Sequence, residues 1–146
     1  MRLIRCCYLF ICCSLLALPA AADDIAAARQ QLQSTNTTEI QQGVRQALQL
    51  WQQNDGATEI EVGELILLAW THNPVEVAHW FDQHADGWDH WVTVQDYLFL
   101  SLMALEGPSI VIAEKDVLLL KLQQAASQAP KAGEYYRLLQ TVDFSF

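Results

Sequence analysis

The stretch Thr38-Glu39-Ile40-Gln41-Gln42-Gly43-Val44-Arg45-Gln46-Ala47-Leu48-Gln49-Leu50-Trp51 decides the fold class. Ile40, Val44, Ala47, Leu48 and Trp51 fall at i, i+4, i+7, i+8 and i+11, which places them along one face of an α-helix. Gln41, Gln42, Arg45, Gln46, Gln49, Gln52 and Gln53 fill much of the remainder, so this is a surface helix with one buried side. Its start is marked by Thr38, whose hydroxyl is placed to accept the Gln41 backbone N–H while the Gln41 side chain reaches back. Asn54, Asp55 and Gly56 end it, because these residues tolerate the left-handed backbone that closes a helix.

The same signals extend in both directions. Thr58-Glu59-Ile60 with Gly63 repeats Thr38-Glu39-Ile40 with Gly43, and Thr58 with Glu61 forms a second expected capping box. Leu65, Ile66, Leu68, Ala69 and Trp70 cover more than one face of this third helix, which predicts a central position with Leu68 and Trp70 in the core. Asn73, Pro74 and Glu76 open a fourth helix that runs through Val77, Ala78, Trp80 and Phe81 toward Asp86 and Gly87. A bend is expected around Trp88 to Trp91, followed by a fifth helix opened by Thr93 and Asp96. That helix carries Tyr97, Leu98, Leu100, Leu102 and Leu105 and is closed by Gly107 and Pro108. A sixth, from about Ala113 to Ser127, is expected to turn Val117, Leu118, Leu120, Leu122 and Ala125 inward, with Ile110 to Ile112 as an extension or a buried linker. A last helix follows from Glu134 to about Val142. Ahead of all these, Asp23 or Asp24 caps a first helix with Ile25, Ala28, Arg29 and Leu32, ended by Ser34 to Thr37. Period-two strand patterns are nearly absent.

The reading is an all-α fold: a small right-handed stack of antiparallel helical hairpins in the general style of HEAT or armadillo solenoids. A plain orthogonal helical bundle is the alternative. The likeness is architectural, and no diagnostic family motif accompanies it.

Arg2 and Arg5 precede an apolar run from Cys6 to Leu18, then Pro19 and three alanines ahead of Asp23 and Asp24. This is the plan of a cleavable secretory signal over residues 1–22, leaving one helical domain over residues 23–146 in the periplasm or outside the cell. All 4 cysteines lie within the signal, so the mature chain is expected to use no disulfide and no thiolate chemistry. No later apolar stretch is long enough to span a bilayer, so no stable membrane insertion is expected. The formal charge is −9, and removing Arg2 and Arg5 makes it more negative. Such a surface repels phosphate backbones, which argues against nucleic acid; it either serves simple solubility or steers the chain to a basic partner. The 52% hydrophobic content and 5 tryptophans are enough for a real core.

Chemistry-bearing side chains concentrate in Trp80-Phe81-Asp82-Gln83-His84-Ala85-Asp86-Gly87-Trp88-Asp89-His90-Trp91. As a calcium loop, Asp82, His84, Asp86, Gly87 and His90 fall at positions one, three, five, six and nine, but the imidazole at position three is a poor calcium ligand and the closing position is Thr93 where a bidentate glutamate is required. Zinc would draw on His79, His84 and His90 with Asp82, Asp86 or Asp89, yet His79 and His84 are poorly placed for one helical face. Glu76 and His79 have the Glu-x-x-His spacing of di-iron bundles without a second copy, and Glu61 with Glu64 supplies only a carboxylate pair. Ser101, His90 and Asp96 make a triad on paper alone, with no nucleophile elbow, zinc helix or phosphate loop in the chain.

The functional expectation is an exported, noncatalytic protein-binding module with an acidic surface and no cofactor or metal. The binding residues are Trp80, Asp82, His84, Asp86, Trp88, Asp89, His90 and Trp91, with Trp88 exposed at the turn and Trp91 buried. A periplasmic immunity or inhibitor protein against a basic cell-wall-degrading enzyme is the first alternative. A metal-dependent hydrolase built on the histidine-rich bend is the second.

Overall fold

The computed structural model describes residues 20–54 and 56–142, and the described residues form helices with no strand among them. The helices are α1 (Ala20–Leu32), α2 (Thr37–Gln53), α3 (Glu59–His72), α4 (Pro74–Gln83), α5 (Ala85–Glu106), α6 (Pro108–Ala125) and α7 (Pro130–Thr141). The all-α expectation holds. Most of the expected signal segment lies outside the described residues, and α1 is already under way at Asp23 and Asp24, so neither is its N-cap.

Some caps follow the sequence and others do not. Asn73 caps α4 as expected: its Oδ1 accepts the Glu76 N–H at 3.2 Å, and its Nδ2 donates to Glu76 Oε2 at 2.8 Å. The α2 cap is instead Asn36, whose Oδ1 accepts the Thr38 N–H at 2.9 Å, so α2 starts at Thr37 and Thr38 lies inside its first turn. Thr58 does precede α3 but makes no cap bond; its hydroxyl turns back to Asn54 Oδ1 at 3.4 Å. At the other end of α5, Gly107 adopts φ +95, a conformation glycine enters without steric cost, and Pro108 starts α6.

Neighbours along the chain pack as pairs, α1 on α2, α2 on α3, α5 on α6 and α6 on α7. Packing of α7 on α4 and of α3 on α6 then ties distant parts of the chain together. Helix α3 sits at the centre, against α1, α2, α4, α5 and α6, as its multi-faced apolar pattern requires. Trp70 is 0% exposed there, while Leu68 is only half-buried against the core. Phe81 and Tyr135 flank Trp70 at ring-centroid distances of 5.7 and 4.9 Å, and Trp91 lies 5.8 Å from Tyr135. Burial pushes the Tyr135 phenol far above its ordinary pKa, so it stays neutral.

The two repeated glycines have a packing reason. A Cβ on Gly43 would stand 2.9 Å from the Leu32 backbone nitrogen, so α1 and α2 approach as closely as they do only because the side chain is absent. Gly63 faces the Leu98 side chain of α5, whose Cδ2 would lie 3.1 Å from a Cβ and need shift only slightly. Lysines of α6 secure two other helix ends: Lys121 donates to the Thr71 carbonyl of α3 at 2.6 Å, and Lys115 donates to the carbonyl of Val142 after α7. Cations there satisfy carbonyls that the helices leave open and oppose their dipoles.

Two expected boundaries and one face are corrected. Helix α6 begins at Pro108, absorbing Ile110 to Ile112, and α7 begins at Pro130. Leu118, Leu122 and Ala125 are buried, but Val117 and Leu120 point outward, 50% and 56% exposed. A helix apolar on all sides gives no periodicity from which to choose its inner face.

Candidate functional site

The expected bend around Trp88 to Trp91 lies earlier and is sharper. It turns on His84 alone, which ends α4, where its N–H reaches the Phe81 carbonyl at 3.2 Å, and precedes α5. Residues 85–91 are therefore helical. The His84 ring stacks on Trp80, centroids 4.0 Å apart and planes within 11°. Its Nδ1 lies 2.8 Å from the Trp80 carbonyl, and since a carbonyl only accepts, Nδ1 carries the proton. Stack and hydrogen bond together fix the corner.

Gly87 then brings the first turn of α5 against the tryptophans. A Cβ there would stand 3.3 Å from the Trp80 ring and 3.7 Å from Trp51 Nε1. The Trp51 indole N–H donates to the Gly87 carbonyl at 3.1 Å. One turn on, the His90 ring lies 4.9 Å from Trp51, and its Nε2 pairs with Glu59 Oε1 at 2.8 Å. Between the Trp80–His84 stack and the Trp51–His90 pair runs an open groove of about 480 Å³. Asp86, Gly87 and the amides of Gln52, Asn54 and Gln83 also line it.

Of the eight expected binding residues, Trp80, His84, Asp86 and His90 come together at this groove. Asp82 and Asp89 are exposed but do not line it. Trp91 is 0% exposed, as expected. Trp88 is not at a turn; it is 5% exposed, which corrects the expectation of an accessible indole. Helical spacing from Trp88 and Trp91 through Gln95, Leu98 and Leu102 carries both indoles onto the buried face of α5. The Trp88 N–H donates to Glu134 Oε1 of α7 at 3.1 Å, and the Lys131 ammonium lies 4.6 Å over its ring. Trp51 is the groove residue the sequence reading missed. The α2 periodicity places it only at the end of the buried stripe, and its bond to the Gly87 carbonyl spans 36 positions of sequence.

Chemically, the groove offers the Trp80–His84 stack, the His90 ring, the Asp86 carboxylate and neutral amides, while Trp51, only 3% exposed, lines it from the core. Among the described residues no group of three or more His, Cys, Asp or Glu converges as metal ligands, and the His90 and His84 nitrogens named above already have internal partners. An aromatic wall beside a carboxylate suits a planar cation, which is attracted by the ring face and paired by the acid. Comparison with known proteins found no family model, no curated protein and no solved structure that matches this chain.

Proposed function

We propose that this chain is an exported, noncatalytic protein-binding module whose groove at the α4–α5 corner receives arginine side chains of a basic partner. The observation that carries the reading is the open groove itself, lined by both the Trp80–His84 stack and the Asp86 carboxylate. The chain supplies an internal precedent in Lys131, which sits over Trp88 while pairing with Glu134 at 2.8 Å. The acidic surface, −9 over the full chain, favours approach of a cationic partner. An inhibitor that occludes a basic cell-wall-degrading enzyme is a narrower case of the same recognition.

Export rests on the N-terminal pattern of Arg2, Arg5 and the apolar run ending at three alanines. The expected product begins at Asp23, which removes Ala20 to Ala22 from α1 but none of its buried positions, Ala28 and Leu32. Intact mass of the exported protein checks this; a species that keeps Cys6 to Cys13 contradicts it.

Titration with a short arginine-rich peptide tests the groove. Trp80→Ala should weaken binding by roughly 1–2 kcal/mol, about five- to thirtyfold, the range of a partly desolvated cation–π contact. Asp86→Asn, at an exposed position that leaves packing intact, should weaken it less and flatten its salt dependence. Equal affinity of wild type and both variants would defeat the reading.

A further inference from the structure

Of the chain's 4 histidines, His84 and His90 line the corner groove, and among the described residues no lysine or arginine lines it. Asp86 is the carboxylate on that lining, so the charge a bound guanidinium meets depends on Asp86 and on whether the two imidazoles carry a proton. The packing fixes where each ring takes one. His84 Nδ1–H is committed to the Trp80 carbonyl at 2.8 Å, which leaves Nε2 as the nitrogen that accepts a proton. His90 Nε2 faces Glu59 Oε1 at 2.8 Å; a carboxylate only accepts, so Nε2 carries hydrogen there and Nδ1 is the basic nitrogen.

A proton on either ring works against the same ligand. The His84 ring is stacked on Trp80 at 4.0 Å, so once charged it engages the indole as an internal cation and repels a guanidinium brought beside it. A charged His90 closes an ion pair with Glu59 and places a second positive charge on the lining, 4.9 Å from Trp51. The neighbouring groups do not cancel this. Asp82 of α4 and Asp89 of α5 are exposed and off the groove, and Arg45 of α2 pairs with Glu76 of α4. Helix α2 itself brings Trp51 and the Gln52 and Asn54 amides to the groove, and α3 acts on it through Glu59. No residue of α1, α6 or α7 lines it, and the α7 pair Lys131 and Glu134 is engaged with Trp88.

We infer that the corner groove releases its cationic ligand on acidification, with His84 and His90 as the groups that sense the proton. The inference rests on the arginine-binding reading and adds how that binding is regulated. Histidine is the side chain whose charge changes between about pH 5 and 8, a window in which arginine stays charged. The groove therefore gains up to one positive charge per ring as pH falls, while the ligand does not change. The coupling is reciprocal: a bound guanidinium disfavours the charged rings, so it lowers the pH at which they titrate.

The probe is the arginine-rich peptide, capped at both ends and free of histidine, titrated at fixed ionic strength at about pH 7.5 and about pH 5.5. Affinity should fall about tenfold at the lower pH, the scale of two charges added a few ångströms from the guanidinium in a solvent-screened groove. His84→Asn and His90→Gln each keep an amide donor where the ring nitrogen now donates, and together they should reduce that ratio to below about twofold. His79→Gln, at an exposed position off the groove, should leave the ratio intact. The wild type supplies a measurement that needs no variant. In an NMR pH titration, saturating peptide should lower the midpoints of His84 and His90 by about half a pH unit each, which together is the tenfold change, and leave those of His72 and His79 in place. Equal wild-type affinity at the two pH values, with Trp80→Ala still weakening binding, would overturn the inference and leave the arginine reading standing. Loss of the Trp80→Ala effect would remove both. A pH ratio that persists in the double variant, or midpoints of all 4 histidines that move alike, would assign the effect to general surface charge and overturn the inference.

Discussion

Trp70→Ala is expected to lower the stability of this domain by about 3–5 kcal/mol, the range for removing a large aromatic from a packed core. The indole is fully enclosed at the centre of α3 and contacts the rings of Phe81 and Tyr135 from α4 and α7. Its removal opens a void where three helices meet, and none of them can close it without losing contacts elsewhere. The loss is large against a typical total of about 5–15 kcal/mol. The Trp70 N–H has no hydrogen-bond partner, so all of the cost comes from packing and transfer, and Trp70→Phe should recover most of it. Denaturant unfolding measures both variants. An unchanged midpoint for Trp70→Ala would remove α3 from the centre of the fold.

Trp88→Ala is expected to cost a similar amount, about 3–5 kcal/mol, and to do so in stability rather than in binding. The ring is packed edge-on against Phe81 and Tyr135, at 5.5 and 6.1 Å, and its loss also deprives Glu134 of a donor and Lys131 of its aromatic face. These contacts join α5 to α7 across 46 positions of sequence, so the variant should loosen the C-terminal helices first. Its affinity for the arginine-rich peptide should match wild type wherever the variant is folded. A variant of unchanged midpoint that binds less well would instead put the Trp88 indole on the recognition surface.

The contrast between Trp88 and Trp80 shows where the sequence was legible. Helix periodicity gave the fold class, and the Asn73-Pro74-Glu76 signal gave the α4 start, because both depend on side chains within a few positions of one another. The α4–α5 corner was misplaced because Asp86 and Gly87 carry the chemistry of a helix end. In the fold Gly87 is there for space against Trp80, and its cost within a helix, about 1 kcal/mol, is offset by burial of Trp88 beside it and Trp91 one turn later. The heptad-like spacing of Trp88, Trp91, Gln95, Leu98 and Leu102 was present in the sequence and runs straight through the expected bend. Trp51 was invisible as a groove residue for a different reason. Its role depends on contacts with Gly87 and His90 that only the packed fold creates.

The central claim is that the groove between Trp80 and Trp51 is where a cationic partner is recognised, and the 5 indole N–H groups of the chain report on it separately. In a ¹⁵N-labelled sample titrated with the arginine-rich peptide, the indole signal of Trp80 should move along a saturation curve, with a smaller shift on the same curve for Trp51, which lines the groove but is 3% exposed with its N–H held by the Gly87 carbonyl. The signals of Trp70, Trp88 and Trp91, enclosed in the core, should stay in place. Movement of Trp88 without Trp80, or no movement of any indole at peptide concentrations that saturate binding, would contradict the account.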